Sequence, residues 1–542
     1  MHSTRSLDHL GDFTTTARVL PLAALALVIG VAAAYVAAAL LALIGFFTNV
    51  FFFHRFSTAL TTPEGHQLGV FVILVPIVGA LIIGAMARYG SERIRGHGIP
   101  EAIEAILING SRVEPKVAVL KPLSSAISIG SGGPFGAEGP IIMTGGALGS
   151  LVAQFFHLTS AERKTLLVAG AAAGMSATFA APVASVVLAV ELLLFEWKPR
   201  SLIPVALASV AAAAVRRYLL GMGPLFPVPP HPAFIGVAGL LGCVLAGIIA
   251  GAFSTGLTGA VYASEDAFGR LPIHWMWWPA IGGLAIGLGG FIFPQALGVG
   301  YDVIGGLLQT DMSIRIILGV LLVKSTIWAF SLGSGTSGGV LAPLLMMGAA
   351  LGSLEARFLP WEGVGFWPLI SMAAILGGTM RVPITAVVFA IELTHDVSVM
   401  MPMLIAVIVA HAFTVLTLRR SILTEKISRR GYHLSREYAM DPLEIIFAHE
   451  VMRPGVEAET AMGVDAGVVA YPDEPLRMLA YRMAETGVTE LPVVGRRDGR
   501  IIGVVALADL LKGRTRILEA ERRREHVLGP GLRLPTRKSG MF

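Results

Sequence analysis

Apolar residues run through the first 430 positions in blocks rather than in alternation. Four blocks are long enough to cross a bilayer core, which takes about 20 residues: 19–47, 68–87, 234–253 and 401–418. Five others, 119–152, 165–195, 276–294, 316–352 and 366–394, are cut by Gly or Pro. Such broken segments at membrane depth line a cavity, because the backbone groups freed by each break find no partner in lipid. After about residue 440 the pattern changes. Charged residues return, and the spacing predicts a helix, a strand at 491–494, a turn at 497–499, a second strand and a helix, a small soluble α/β module.

Composition narrows this picture. The 542 residues are 54% hydrophobic and 14% charged, where soluble domains carry roughly 25% charged residues. With 63 Gly, close packing of membrane helices is expected. One cysteine, Cys243, excludes a disulfide framework and any cysteine-based metal site. The net charge of +5 marks topology rather than nucleic-acid binding. Arg88, Arg93 and Arg95 follow the second span, and Arg419, Arg420, Arg429 and Arg430 follow the last, so both clusters are expected on the cytoplasmic side. The first apolar run is too long for a cleaved signal.

Residues 128–151, SIGSGGPFGAEGPIIMTGGALGSL, and 331–354, SLGSGTSGGVLAPLLMMGAALGSL, align without a gap at an offset of 203. Lys121 and Lys324 keep that offset, and PVASVVLAVEL (182–192) matches PITAVVFAIEL (383–393) at 201. Two halves of about 200 residues, 19–200 and 234–420, thus hold the same parts in the same order, a pattern of transporters and related channels whose site lies between the halves. Gly allows a sharp turn and close approach of a ligand to the amides; Pro140 and Pro343 lie just inside the expected helix starts. Each copy therefore offers a helix N-terminus with unpaired N–H groups and partial positive charge. Two such ends meeting mid-membrane make an anion site without a fixed cation. The first copy alone carries an acid there, Glu138, opposite Leu341. A carboxylate in an apolar segment is a functional candidate: beside donors built for an anion, it can take the anion's place until a proton neutralises it.

These residues resemble the CLC chloride channel and transporter family, with a C-terminal CBS motif. The family's GSGIP appears as Gly96–His97–Gly98–Ile99–Pro100, its GREGP as Gly136–Ala137–Glu138–Gly139–Pro140, and its GxFxP as Gly339–Val340–Leu341–Ala342–Pro343. The resemblance implies an all-α, multi-pass membrane fold, an inverted repeat of broken, tilted helices, working as a homodimer with one anion path per subunit. It implies that Glu138 is the gate, and that Gly96, His97, Gly98, Ile99, Pro100, Gly136, Ala137, Gly139, Gly339, Val340 and Leu341 form the anion site.

Departures from the family pattern matter as much. His97 stands where the family's serine hydroxyl would be, and Leu423 where its tyrosine would be. His97 either donates to the anion, with affinity rising as it protonates, or turns away and leaves the backbone to hold the ion. The second of two acids that relay protons in exchangers is here Leu192, after Glu191. The repeat partners Glu191 and Glu392 read as structural, and Glu196 is the alternative relay. Leu192 favours passive, channel-like conduction; proton-coupled chloride exchange is the alternative. Lys121 and Lys324 either attract anions into vestibules or snorkel to the interface.

The expected division is a membrane domain, 1–440, and a cytoplasmic segment, 441–542, with one full CBS motif at about 467–512 and a truncated first copy before it. The single copy is expected to pair across the dimer axis. In the ribose-contacting pattern Asp509 is present, but Ala506 replaces the hydroxyl, so a supporting role is favoured over an adenine nucleotide as cofactor. The basic stretch 516–528 reads as a solvated or lipid-facing helix, with no nucleic acid as partner. An enzyme or a divalent-cation carrier would need clustered ligands or carboxylates at depth, so no enzyme activity and no metal are expected. The expected partners are chloride or another small anion, protons in the exchanger reading, and lipid, in a prokaryotic inner membrane.

Overall fold

In the computed structural model the described residues are 15–232, 234–432, 443, 446–454, 468–496 and 498–512. Among them, seven helices are long and apolar enough to cross a membrane, and four shorter apolar helices lie between them. Eight elements make the first half: Val19–Phe53, Gly69–Tyr89, Ile99–Leu107, Pro115–Gly130, Glu138–Gln154, Ser160–Phe179, Pro182–Leu194 and Pro199–Leu219. Eight make the second, in the same order of long and short pieces: Val237–Gly269, Trp275–Ile292, Tyr301–Gln309, Ile314–Gly333, Leu341–Glu355, Phe366–Met380, Pro383–Thr394 and Met400–Thr417. Ile422–Arg429 follows. The apolar run at 234–253 underestimates its helix, which continues to Gly269; at 33 residues it outlasts the hydrocarbon core and must tilt or emerge from it.

The halves are related by inversion, and one contact shows it. Glu392, near the end of Pro383–Thr394, accepts from the amides of Val183 (2.9 Å) and Ala184 (2.7 Å) at the start of Pro182–Leu194. Glu191 returns the contact, accepting from Thr385 N (2.9 Å) and Thr385 Oγ1 (2.6 Å). Each carboxylate thus caps the other half's helix, favourably to its dipole. Two symmetry-related helices that cap each other this way run antiparallel. Glu191 and Glu392 are structural, as their repeat positions suggest.

Small residues set the depth of packing. Gly145 and Gly149 of Glu138–Gln154 face Gly170 of Ser160–Phe179 backbone to backbone; a Cβ on Gly170 would stand 2.9 Å from the Gly145 carbonyl carbon. The two helices pack extensively along their length, anchoring the site-bearing helix to a long neighbour.

The C-terminal module has the expected helix, Leu476–Thr486, and strands, Glu490–Val494 and Ile501–Ala506, paired antiparallel with Leu491 opposite Val505. Leu476, Leu479, Leu491, Val493 and Val505 fill its core. Ile446 and Ala448 join that core, and Arg453–Pro454 adds an edge strand beside Gly503 and Val504. The stretch read as a truncated first copy, 450–463, is described only to Pro454, and that part belongs to this same unit. Hydrophobic spacing missed it because a two-residue strand has no period. Arg497 of the turn and the helix at 516–528 lie outside the described residues.

Candidate anion site at the joint of the repeats

The two Gly-rich stretches meet. Gly136 N donates to Gly339 O (3.1 Å) and Gly339 N to Gly136 O (2.8 Å), joining the halves immediately before each helix begins. The helix caps are Ala137 and Val340, so Glu138 and Leu341 are the first helical residues of facing helices. A third start lies alongside. Gly96 N donates to Thr336 O (2.9 Å), and Gly98, at φ 88°, caps Ile99–Leu107. Gly139 fits against the His97 carbonyl, and a Cβ there would stand 3.3 Å from Gly339 Cα.

The expected site residues come together, but they divide by role. Gly96, Gly136 and Gly339 spend their amides on bonds between segments. The Gly98 amide donates to Glu101 Oε2 at 3.0 Å, and Pro100 has no N–H. These residues make the frame. Among the described residues, the amides left without a bonded partner at the two facing helix starts include those of Ala137, Glu138, Gly139, Val340, Leu341 and Ala342. Ala342 was not singled out from the sequence, yet its N–H faces the Glu138 carboxyl.

Glu138 is fully buried, and neither carboxyl oxygen completes a hydrogen bond. The carboxyl lies over Gly339, whose Cβ position is 2.7 Å from Oε2, and it faces its own amide, that of Ala342 and the Tyr301 hydroxyl. Its side chain therefore lies between the two helix starts.

His97 is 3% exposed, and its Nδ1 has no partner. Leu423 is fully buried in Ile422–Arg429 and brings no hydroxyl; Lys426, one turn on, instead pairs with Glu101 at 3.0 Å beside Gly96. Arg430 joins Glu101 at 2.9 Å. Next to His97 opens a cavity of about 600 Å³ whose walls include Arg93, Arg95, Lys426, Arg429 and Arg430. The two arginine clusters thus share one end of the protein.

Both lysine expectations are overturned. Lys121 and Lys324 are fully buried, neither snorkelling nor in a vestibule. Lys121 Nζ donates to Ile94 O (2.9 Å), Gly96 O (2.7 Å) and Ser337 Oγ (3.0 Å); Lys324 Nζ donates to Gly298 O (3.0 Å). A buried ammonium must be hydrogen-bonded, and here each ties down a turn. These turns show a repeat the sequence reading missed. Gly96 and Gly98 have positive φ (83° and 88°), as do Gly298 and Gly300 (67° and 81°), 202 positions on. The short Gly-x-Gly signal was legible, but the residues around it had diverged.

Leu192 is fully buried in a π-helical turn, Ala189–Leu194. Glu196 bonds Ser201 Oγ (2.7 Å) and pairs with Lys198 (3.1 Å) and Lys164 (3.5 Å). Burial alone would raise its pKa, but these partners outweigh it and hold the carboxyl at about 2. It stays ionised at ordinary pH and is a poor substitute relay. In the module, Asp509 Oδ2 accepts from Ala506 N (3.0 Å) and Arg453 Nε (3.0 Å), so the carboxylate expected to meet a ribose is engaged within the fold.

An inverted repeat of broken helices whose N-termini converge on one buried place defines a membrane carrier of small anions. A family model described as voltage gated chloride channel matches residues 78–415, and a CBS domain model matches 448–515. The chain belongs to the voltage-gated chloride channel, or CLC, family and carries a CBS domain. It is 29% identical over 367 residues to a ClcB-like protein of Ralstonia nicotianae, covering 66% of this chain and 85% of the relative. It is 28% identical over 359 residues to the H(+)/Cl(-) exchange transporter ClcA of Yersinia pestis, covering 61% and 71%. Its fold matches a slow cyanobacterial Cl-/H+ antiporter at 20% identity and TM-score 0.67, over 77% of this chain and 99% of that one.

Proposed function

We propose that the chain exchanges chloride for protons across a prokaryotic inner membrane, with Glu138 as the group both ions use. The observation that carries this is the Glu138 carboxyl lying between two helix starts, unbonded and fully buried. When ionised it fills the anion's place; when protonated it has no charge to hold it there, and chloride takes the amides of Leu341 and Ala342. Leu192 pointed to passive conduction, but relatives named exchangers support coupling. Leu192 removes one relay and leaves Glu138 as the group that carries the proton in this reading. His97 lies at the edge of the arginine-lined cavity, which we take as the cytoplasmic entrance, and the membrane domain, 1–440, and CBS segment, 441–542, work as a homodimer.

The test is flux in proteoliposomes. A chloride gradient should drive protons uphill, and Glu138→Gln should abolish that movement while chloride still passes. Chloride flux with no uphill proton movement in the unsubstituted protein would restore the channel reading. A Glu138→Gln protein indistinguishable from the parent would remove the gate altogether.

A further inference from the structure

Glu138 has a neighbour that neither the motifs nor the family pattern names. Tyr301 opens the helix Tyr301–Gln309 immediately after the turn made by Gly298 and Gly300. Its ring is wedged between aromatic partners, 5.9 Å from Phe226 and 6.4 Å from Phe179, both at edge-on angles. That packing leaves the side chain few alternatives. Its hydroxyl is buried and lies against the Glu138 carboxyl, near enough to interact but outside hydrogen-bond geometry, so neither group completes a bond. A buried hydroxyl and a buried carboxyl, each unpaired and each turned to the other, leave two costs that one bond would relieve.

The rest of the surroundings is accounted for. Lys324 is the cation facing Glu138, but its Nζ is bonded to Gly298 O and Val299 O, with Asp302 beside it. From the other side His97 offers Gly139 its backbone carbonyl, and Lys121 is spent on Ile94, Gly96 and Ser337. Of the two side chains that face the carboxyl, Lys324 and Tyr301, the tyrosine hydroxyl is the one still uncommitted.

We infer that Tyr301 is a latch for the gate: its hydroxyl donates to the ionised Glu138 carboxyl and holds it in the anion's place until protonation releases it. This rests on the gate reading above. The two hydroxyls missing at His97 and Leu423 would have faced the anion; this one faces its competitor. It therefore tunes how readily the gate opens with acid rather than how tightly chloride binds. Tyr301 is a positioning residue, since it touches the gate and not the ion.

The test is chloride flux in liposomes between pH 4.5 and 8.5 for the parent, Tyr301→Phe, Glu138→Gln and the double variant. Losing a hydrogen bond to a charged group favours the protonated gate, so the Tyr301→Phe curve should shift by about one pH unit toward alkaline. Flux at neutral pH should rise several-fold. In the Glu138→Gln background the same change should do nothing. Tyr301→Met, which keeps apolar bulk and drops the same hydroxyl, should shift the curve in the same direction even if Phe packs poorly. A Tyr301→Phe curve that superimposes on the parent overturns the latch. So does an equal effect in the Glu138→Gln background, because Tyr301 would then act without the gate. If Glu138→Gln itself matches the parent, the gate has failed, a result distinct from either.

Discussion

Adding one methyl group at Gly139 should be enough to disable the site. The residue does not have positive φ, so Gly139→Ala brings no backbone strain and tests space alone. The new Cβ would overlap the His97 carbonyl oxygen and lie 3.0 Å from its carbon and 3.3 Å from Gly339 Cα. The second contact yields with a shift of tenths of an ångström. The first cannot yield cheaply, because the turn on either side of His97 is tied down: Gly96 by Thr336 and Lys121, Gly98 by Glu101. Overpacking a rigid core costs about 1–3 kcal/mol, and the fixed backbone on both sides puts this case near the top of that range. If the strain is relieved by spreading the helix starts, about 3 kcal/mol lost from binding is roughly a hundredfold in affinity. Calorimetric chloride titration of the solubilised protein measures it. Gly256→Ala is the matched control, since no atom lies within 4 Å of its Cβ position; there the same change should leave binding alone and gain up to about 1 kcal/mol of helix stability. Gly139→Ala binding chloride within threefold of the parent would falsify the packed joint between the helix starts.

Two further outcomes follow from contacts away from the anion. Glu392→Gln weakens the charge-assisted cap on Val183 and Ala184 and should cost about 1–2 kcal/mol, read as a lower melting temperature in detergent with the flux–pH curve unmoved; an unchanged melting temperature would show the reciprocal caps to be idle. Asp509→Ala removes the acceptor shared by Ala506 N and Arg453 and should speed hydrogen exchange along Ile501–Ala506 about tenfold, for about 1–2 kcal/mol lost. Burial opposes the ionised form of Asp509, but those partners win and hold its pKa below the usual 3.8. Its stabilisation is therefore fully present above that value and lost as pH falls through the lower folded one. Exchange protection that fades between pH 8 and 5 would contradict this assignment.

Much of the membrane architecture was legible because bilayers demand long apolar runs and because the chain writes its parts twice. Gly and Pro marked where helices break, and the identical spacing of 128–151 and 331–354 located the joint. What could not be read was direction and partnership. Nothing in the sequence says that Lys121 and Lys324 turn inward, since a lysine at a helix end has a free choice between water and a carbonyl until the neighbouring turn is placed. Nor does a tyrosine in an unmatched segment announce a carboxyl 163 positions earlier (138 to 301). Tertiary geometry alone joins them.

Comparing repeat partners separates frame from chemistry. Where the halves agree, the residues hold the fold: Gly96 and Gly98 with Gly298 and Gly300, Lys121 with Lys324, Glu191 with Glu392. Where they differ, a polar group in one half faces an apolar one in the other: Glu138 against Leu341, His97 against Val299, Tyr301 against Ile99. Leu192 belongs to the first set, because its partner is Leu393. Two symmetric leucines are what a shared scaffold predicts, so this position does not by itself decide for passive conduction. An inverted scaffold is indifferent to the two sides of the membrane, and transport with a defined gate needs that indifference broken. Two of the three breaks, Glu138 and Tyr301, face each other with their polar atoms unpaired, and the third, His97, lies in the turn that packs on Gly139. In the proposed mechanism the gate's sensitivity to protons therefore belongs to that pair rather than to the relay position at 192.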